Sequence, residues 1–261
     1  MSEAVPTADL SSLIQNLGLL RPRQLLRVQQ LVDALVEGAG HWRSPDSDFA
    51  DEAWVSEFGD QLRLHHGGSA IPLTKDKFEY AMVSTFRDTG HTSRKLGNGN
   101  PGADLEVDGA FWSLKTEAAA AIKADRLHVS KAMELGKGSW ENEDDIAVLR
   151  EKFLGHLTKY TRVFSLRCLE RSPQEDGSVA YVYELVEIPH AMLERARNGR
   201  IEMRHNSKQT PKPAYCYVDA EDGTPAFELY FDGGTERKLQ IKNLWKHHCK
   251  VHATWTFSVW S

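Results

Sequence analysis

Apolar residues recur at helical spacing through the first part of the chain. Residues 23–37 carry Leu25, Val28, Leu31, Leu35 and Val36 on one stripe, and Gly38-Ala39-Gly40 ends it. Residues 8–65 read as helical, broken by the loop Ser44-Pro45-Asp46-Ser47-Asp48. A further helix is predicted over 73–89, where Thr74 can cap it and Phe78, Met82 and Phe86 share a face. The run Gly97-Asn98-Gly99-Asn100-Pro101-Gly102 is the strongest breaker in the chain, and a hairpin follows over 103–117. Helices are predicted over 119–135 and 145–160, then strands over 162–169 and 179–188 around a polar turn at 172–178. Residues 215–260 are mostly strand, punctuated by Gly223, Gly233 and Gly234. This order predicts an α/β (α+β) fold with a mixed central sheet flanked by helices. It divides into an N-terminal helical lobe (1–70), a core (71–190) and a strand-rich C-terminal part (191–261), together forming one compact body. The lobe reads as scaffold or dimer surface.

Composition changes this picture little. The chain has 261 residues, 41% hydrophobic and 26% charged, which is ordinary for a globular protein. No run approaches the roughly 18 apolar residues of a membrane span. Residues 1–10 lack the positive charge and apolar core of a secretory signal. Cys168, Cys216 and Cys249 are odd in number and far apart, which fits a reducing cytoplasm better than a disulfide framework. The net charge of -5 argues against a non-specific coat for nucleic acid. It leaves room for a metal site, which itself needs clustered carboxylates.

The hairpin carries the candidate chemistry. Asp108-Gly109 lies between two alternating runs, a strong two-residue turn signal. Val107 then pairs with Ala110, and Asp104 falls opposite Ser113. Alternation puts Leu105, Val107, Ala110, Trp112, Leu114 and Thr116 on an apolar face turned to the core. Asp104, Glu106, Phe111, Ser113, Lys115 and Glu117 share the other face. Opposite positions lie about 5 Å apart and diagonal ones about 7–8 Å. Asp104 and a second carboxylate can therefore reach one divalent ion, and hard oxygen ligands of this kind suit magnesium (Mg2+). Lys115 beside that ion would orient or help deprotonate the attacking water and offset charge on the phosphate. The alternative is a solvated ribbon with cross-strand ion pairs.

Pro101-Gly102-Ala103-Asp104 followed by Ser113-Leu114-Lys115 resembles the signature of the PD-(D/E)XK nucleases, and Lys115-Thr116-Glu117 extends the likeness to restriction enzymes and the mismatch-repair nicking nuclease. The likeness covers residues 74 to about 170. It implies a restriction-endonuclease-like core and a magnesium-dependent, site-specific double-stranded DNA endonuclease of type II. A nicking repair nuclease of the same superfamily and a non-catalytic DNA-binding module are the rivals. The chain departs from the pattern twice: Gly102-Ala103 separates Pro101 from Asp104, and Ser113 stands where Asp or Glu is usual. The missing acid must come from elsewhere, either Glu117 on the same strand face or Glu79 on the preceding helix. The resemblance thus implies Asp104, Ser113, Lys115, Glu117 and Glu79 as catalytic residues, with metal held by Asp104 and Glu117 or Glu79.

DNA contacts are expected from three segments. Arg94, Lys95, Asn98 and Asn100 lie in and before the Gly/Asn loop, whose donors suit phosphate or groove contact. Arg126 and Ser130 are placed on the helix predicted after the hairpin. Between 194 and 212, six basic residues face only two acids, Glu194 and Glu202, and Arg200, Arg204, Asn206 and Lys208 mix phosphate neutralisers with base-edge readers. An enzyme that cuts both strands of a two-fold site is expected to be a homodimer. His247, His248, Cys249 and His252 lack the second ligand pair of a zinc site, and a core strand explains this end more simply.

Overall fold

Local signals in the chain account for most elements of the computed structural model, which describes residues 9–97, 102–120 and 122–260. In chain order these are α1 (Leu10–Leu17), α2 (Pro22–Val36), β1 (Ala39–Arg43), α3 (Glu52–His66), α4 (Lys75–Asp88), β2 (Ser93–Lys95), β3 (Leu105–Val107) and β4 (Ala110–Glu117). There follow β5 (Arg126–Glu134), α5 (Glu143–Leu157), β6 (Arg162–Pro173), β7 (Ser178–Ile188), α6 (His190–Glu194), β8 (Arg200–Met203), β9 (Ala214–Asp219), β10 (Pro225–Phe231), β11 (Lys238–Trp245) and β12 (Lys250–Trp260). Thr74 caps α4, and Phe78, Met82 and Phe86 are all buried on one face. Asn142 caps α5, and Glu143, Asp144 and Asp145 in its first turn complement the helix dipole.

A seven-stranded sheet runs β1-β12-β7-β6-β4-β3-β2. Only β4 and β6 pair in parallel, and that pairing needs the long crossover that β5 and α5 supply. One face of this sheet packs on α3 and α4 through Trp54, Phe58, Phe78, Trp112, Phe164 and Trp255. The other face meets a second core built from α5 and a five-stranded antiparallel sheet, β5-β11-β10-β9-β8. The fold is thus mixed α/β with two sheets flanked by helices.

Two predicted helical stretches contain strands. Residues 126–134 form β5, because Leu127 and Val129 are buried in alternation with Arg126 and His128, a period of two that pairs with β11. Residues 39–43 form β1, which pairs with β12 from the opposite end of the chain. The Gly38-Ala39-Gly40 break ends α2 as expected, and a strand then begins inside it.

Candidate active site

The hairpin has the expected turn and register. Asp108 and Gly109 both take positive φ, 47° and 82°, and Val107 pairs with Ala110, Glu106 with Phe111 and Leu105 with Trp112. Leu105, Val107, Trp112 and Leu114 are buried in the core. Asp104 lies just before β3, its N–H still donating to the Trp112 carbonyl at 2.8 Å. Its Oδ2 accepts the Leu114 N–H at 2.6 Å and the Ser113 hydroxyl at 3.2 Å. The fully buried Ser113 therefore holds Asp104 in place as a donor, and so serves the site without supplying an acid.

The two candidate acids, Glu79 and Glu117, lie in different surroundings. Lys75 Nζ, at the start of α4, sits 2.5 Å from Asp104 Oδ1 and 2.7 Å from Glu79 Oε1. Two carboxylates from different elements thus converge on one cation. Glu79 Oε2 also lies 2.9 Å from Lys95 Nζ, which pairs with Asp76 as well. Glu117 is elsewhere. Its carboxylate accepts from Arg167 Nε at 2.6 Å inside a buried cluster that includes Glu184. Burial pushes the Glu117 carboxyl upward, partly offset by Arg167 and by the His128 N–H. Of the two acids left open by the sequence, Glu117 lies on the predicted strand but is paired with the buried Arg167 and does not converge with Asp104.

Lys115 is half-buried between these groups. Among the described residues no ion pair or side-chain hydrogen bond engages its ammonium. Burial lowers its pKa to about 8, with Asp104 pulling the other way and Lys75 adding to the drop. Lys75 moves upward, because Asp104 and Glu79 outweigh its burial. On α5, His156 is lowered to about 4, by burial and then by Lys115 and Lys159. Sequence reasoning missed Lys75 and His156. The spacing of Lys75 and Glu79, four apart at a helix start, was the one available clue to the first.

The donor set fits magnesium. An ammonium already draws Asp104 and Glu79 together, and magnesium commonly uses one or two protein carboxylates with water and substrate phosphate completing the shell. Among the described residues no three His, Cys, Asp or Glu side chains converge as a self-sufficient metal cage. His252 is no zinc ligand here; it is buried between Glu187 and Ser47, at 2.8 Å from each.

A family model described as SmaI, type II site-specific deoxyribonuclease, matches residues 11–257. The chain belongs to the SmaI family of type II restriction enzymes. The type II restriction enzyme SmaI of Serratia marcescens is 43% identical over 217 residues, spanning 83% of this chain and 84% of its own. A solved restriction endonuclease in complex with substrate DNA aligns over 72% of this chain and 74% of its own at 14% identity, with a TM-score of 0.26. That overlap is too slight to carry an argument. As a SmaI-family member the protein is a site-specific endodeoxyribonuclease, so the reading as a non-catalytic module falls away.

The residues expected on DNA are scattered over this family member. Arg94 pairs with Glu106 across the sheet, and Lys95 is drawn into the Asp76–Glu79 acids. Asn98 and Asn100 lie outside the described residues. Arg126 stands on a strand, as does Ser130, which is exposed there. Arg200 and Arg204 both pair with Glu202, at 3.1 and 2.7 Å. Asn206 and Lys208 are exposed in the turn beyond β8.

Proposed function

We propose that this restriction endonuclease opens its phosphodiester at the cluster of Asp104, Glu79 and Lys115, with magnesium held by Asp104 and Glu79. The supporting observation is the convergence of those two carboxylates on one ammonium, 2.5 and 2.7 Å away, beside a lysine with no ion-pair partner among the described residues. Magnesium, when bound, neutralises phosphate charge and makes water more acidic. Ser113 and the Leu114 N–H fix the Asp104 carboxylate, so its free oxygen meets the ion in one orientation. Lys115, with a pKa near 8, gives up its proton close to neutrality and can take one from water aligned on phosphorus. Lys75 must then yield its place between the acids.

Double-stranded DNA is the proposed substrate. The working form is a homodimer joined through α1 and α2, and its compartment is the cytoplasm, where the three free cysteines stay reduced. The test is cleavage of mixed DNA with and without magnesium. Lys115→Ala should lower the rate about a hundredfold or more while DNA is still bound. Glu79→Gln should raise the magnesium requirement steeply. Glu117→Gln should leave that requirement unchanged. Normal cutting by Glu79→Gln at low magnesium would move the metal elsewhere.

A further inference from the structure

The five-stranded sheet buries one face and leaves the other open. On strict alternation Lys242 and Asn243 of β11 would point to opposite faces. They do not. The β11–β5 register shifts between Ile241 and Leu244, and Asn243 takes a φ of +53°. Neither residue is buried, unlike Ile241 and Leu244 on either side, and both line one cavity of about 250 Å3, together with Glu117, Arg126 and His128. A bulge of this kind re-aims a side chain, and asparagine tolerates the left-handed conformation it requires.

Around this point the sheet surface is aromatic and cationic. Lys242 Nζ rests 3.6 Å from the centre of the Tyr230 ring and 5.6 Å from that of Tyr215. No carboxylate within the described residues forms an ion pair with it, and burial lowers its pKa. Tyr215 packs on Tyr217 at 5.7 Å and on Tyr230 at 4.8 Å. Farther along, Arg126 lies 3.9 Å over Trp245 and Arg200 4.7 Å over Tyr217, at a larger cavity of about 930 Å3. Glu202 neutralises Arg200 and Arg204, and Glu228 also lines this larger cavity. Lys242 forms no ion pair among the described residues, although Glu228 sits opposite it across β10 and β11 and, with Asp232, opposes the drop in its pKa.

We propose that this open face, centred on the β11 bulge, holds the DNA duplex, and that Lys242 and Asn243 read base edges there and set site preference. Lysine suits the guanine acceptors and asparagine the adenine edge in the major groove. Half-exposed aromatic rings bearing cations suit sugar, base faces and phosphate. Continuity supports the placement: the smaller cavity reaches Glu117 on β4, two residues beyond Lys115. The assignment rests on the catalytic centre proposed above only for that direction.

The experiment measures binding without metal, in EDTA, so that no cleavage step enters. Two duplexes are compared, one carrying a sequence that the unsubstituted enzyme cuts and one lacking it. Lys242→Met keeps the packing over Tyr230, and Asn243→Gly keeps the positive φ. Each should lower affinity for the cut sequence about tenfold or more and shrink its margin over the other duplex, with thermal melting unchanged. Lys115→Ala, measured alongside, should keep that margin. If both sheet variants retain the wild-type margin, recognition lies elsewhere and the proposal is overturned. Normal cleavage by Lys115→Ala would sink the catalytic centre and leave the binding result standing.

Discussion

A half-buried ammonium costs the fold stability where no counter-ion touches it, and Lys115, which makes no ion pair among the described residues, shows the cost through a pKa near 8. The sign follows from linkage. The unfolded chain holds this proton up to about pH 10.5, so wild-type stability rises between about pH 8 and 10.5. Lys115→Met should therefore stabilise the metal-free protein by about 1 kcal/mol, or roughly 2–4 °C in melting temperature. The gain should be full below about pH 8 and absent above about 10.5; a pH-independent change would show that Lys115 carries no such penalty. Glu117 should behave in the opposite way. Glu117→Gln strips a carboxylate from the buried Arg167 and should destabilise by about 3 kcal/mol, read by denaturant unfolding, whereas Glu79→Gln should not. Asp104 and Lys115 are legible in the sequence because Asp108-Gly109 fixes the hairpin register, and register fixes the face. The partner acid was left open between two residues because the ion pairs that favour Glu79 in the proposal above, Lys75 with Glu79 and Arg167 with Glu117, join residues whose contacts depend on the packing of other elements.

Elements whose period agrees with their packing were also legible. In α4 the run Phe78, Met82, Phe86 specified both the helix and its buried face. In β5 the apolar positions 127, 129 and 132 satisfy a helical and an extended reading alike, and pairing with β11 decides between them. β1 is five residues without a buried side chain, so no pattern marks it, and its pairing with β12 supplies the strand. The loop beyond β1 is fastened by charge. Arg162 donates to both Asp48 oxygens and both Glu187 oxygens, and His252 links Glu187 to Ser47. Burial alone would raise the Glu187 pKa, but Arg162 and His252 bring it down to about 2. The stabilisation is thus complete above about pH 4.5 and lost as pH falls through about 2. Glu187→Gln should cost about 3 kcal/mol near neutrality, and the gap to wild type should close in strong acid. A gap independent of pH would mean that the network contributes shape and no charge.

At the scale of the whole molecule, the two cores lie on opposite sides of the seven-stranded sheet, and the N-terminal helices belong fully to neither. α1 buries no side chain, and α2 buries only Ala34. Nine of the fifteen exposed large hydrophobic residues among those described fall between Leu10 and Val36, on or between two successive helices. The attachment to the rest of the protein is partly polar: Arg63 donates to the carbonyls of Leu35 and Glu37, and Trp260 to the Glu37 carboxylate. An apolar surface of this kind, mounted on a body that already has complete cores, suits a second copy of the same chain. A two-fold contact brings each patch onto its own equivalent and buries both at once. A two-fold dimer also matches an enzyme that must cut two antiparallel strands. The expected outcome is a species of about twice the 29.4 kDa chain mass in sedimentation at micromolar concentration. Introducing Leu13→Glu together with Leu26→Glu should give a folded monomer with unchanged melting in the absence of DNA, because neither side chain is buried in one copy. Each monomer keeps the proposed centre of Asp104, Glu79 and Lys115, and on that proposal the variant should still open single phosphodiesters, slowly and one strand at a time. Supercoiled plasmid should then pass through a nicked intermediate instead of going directly to linear DNA. A wild-type chain that sediments as a monomer at tens of micromolar would refute the dimer, and full double-strand cutting by the monomeric variant would show that cleavage does not depend on it.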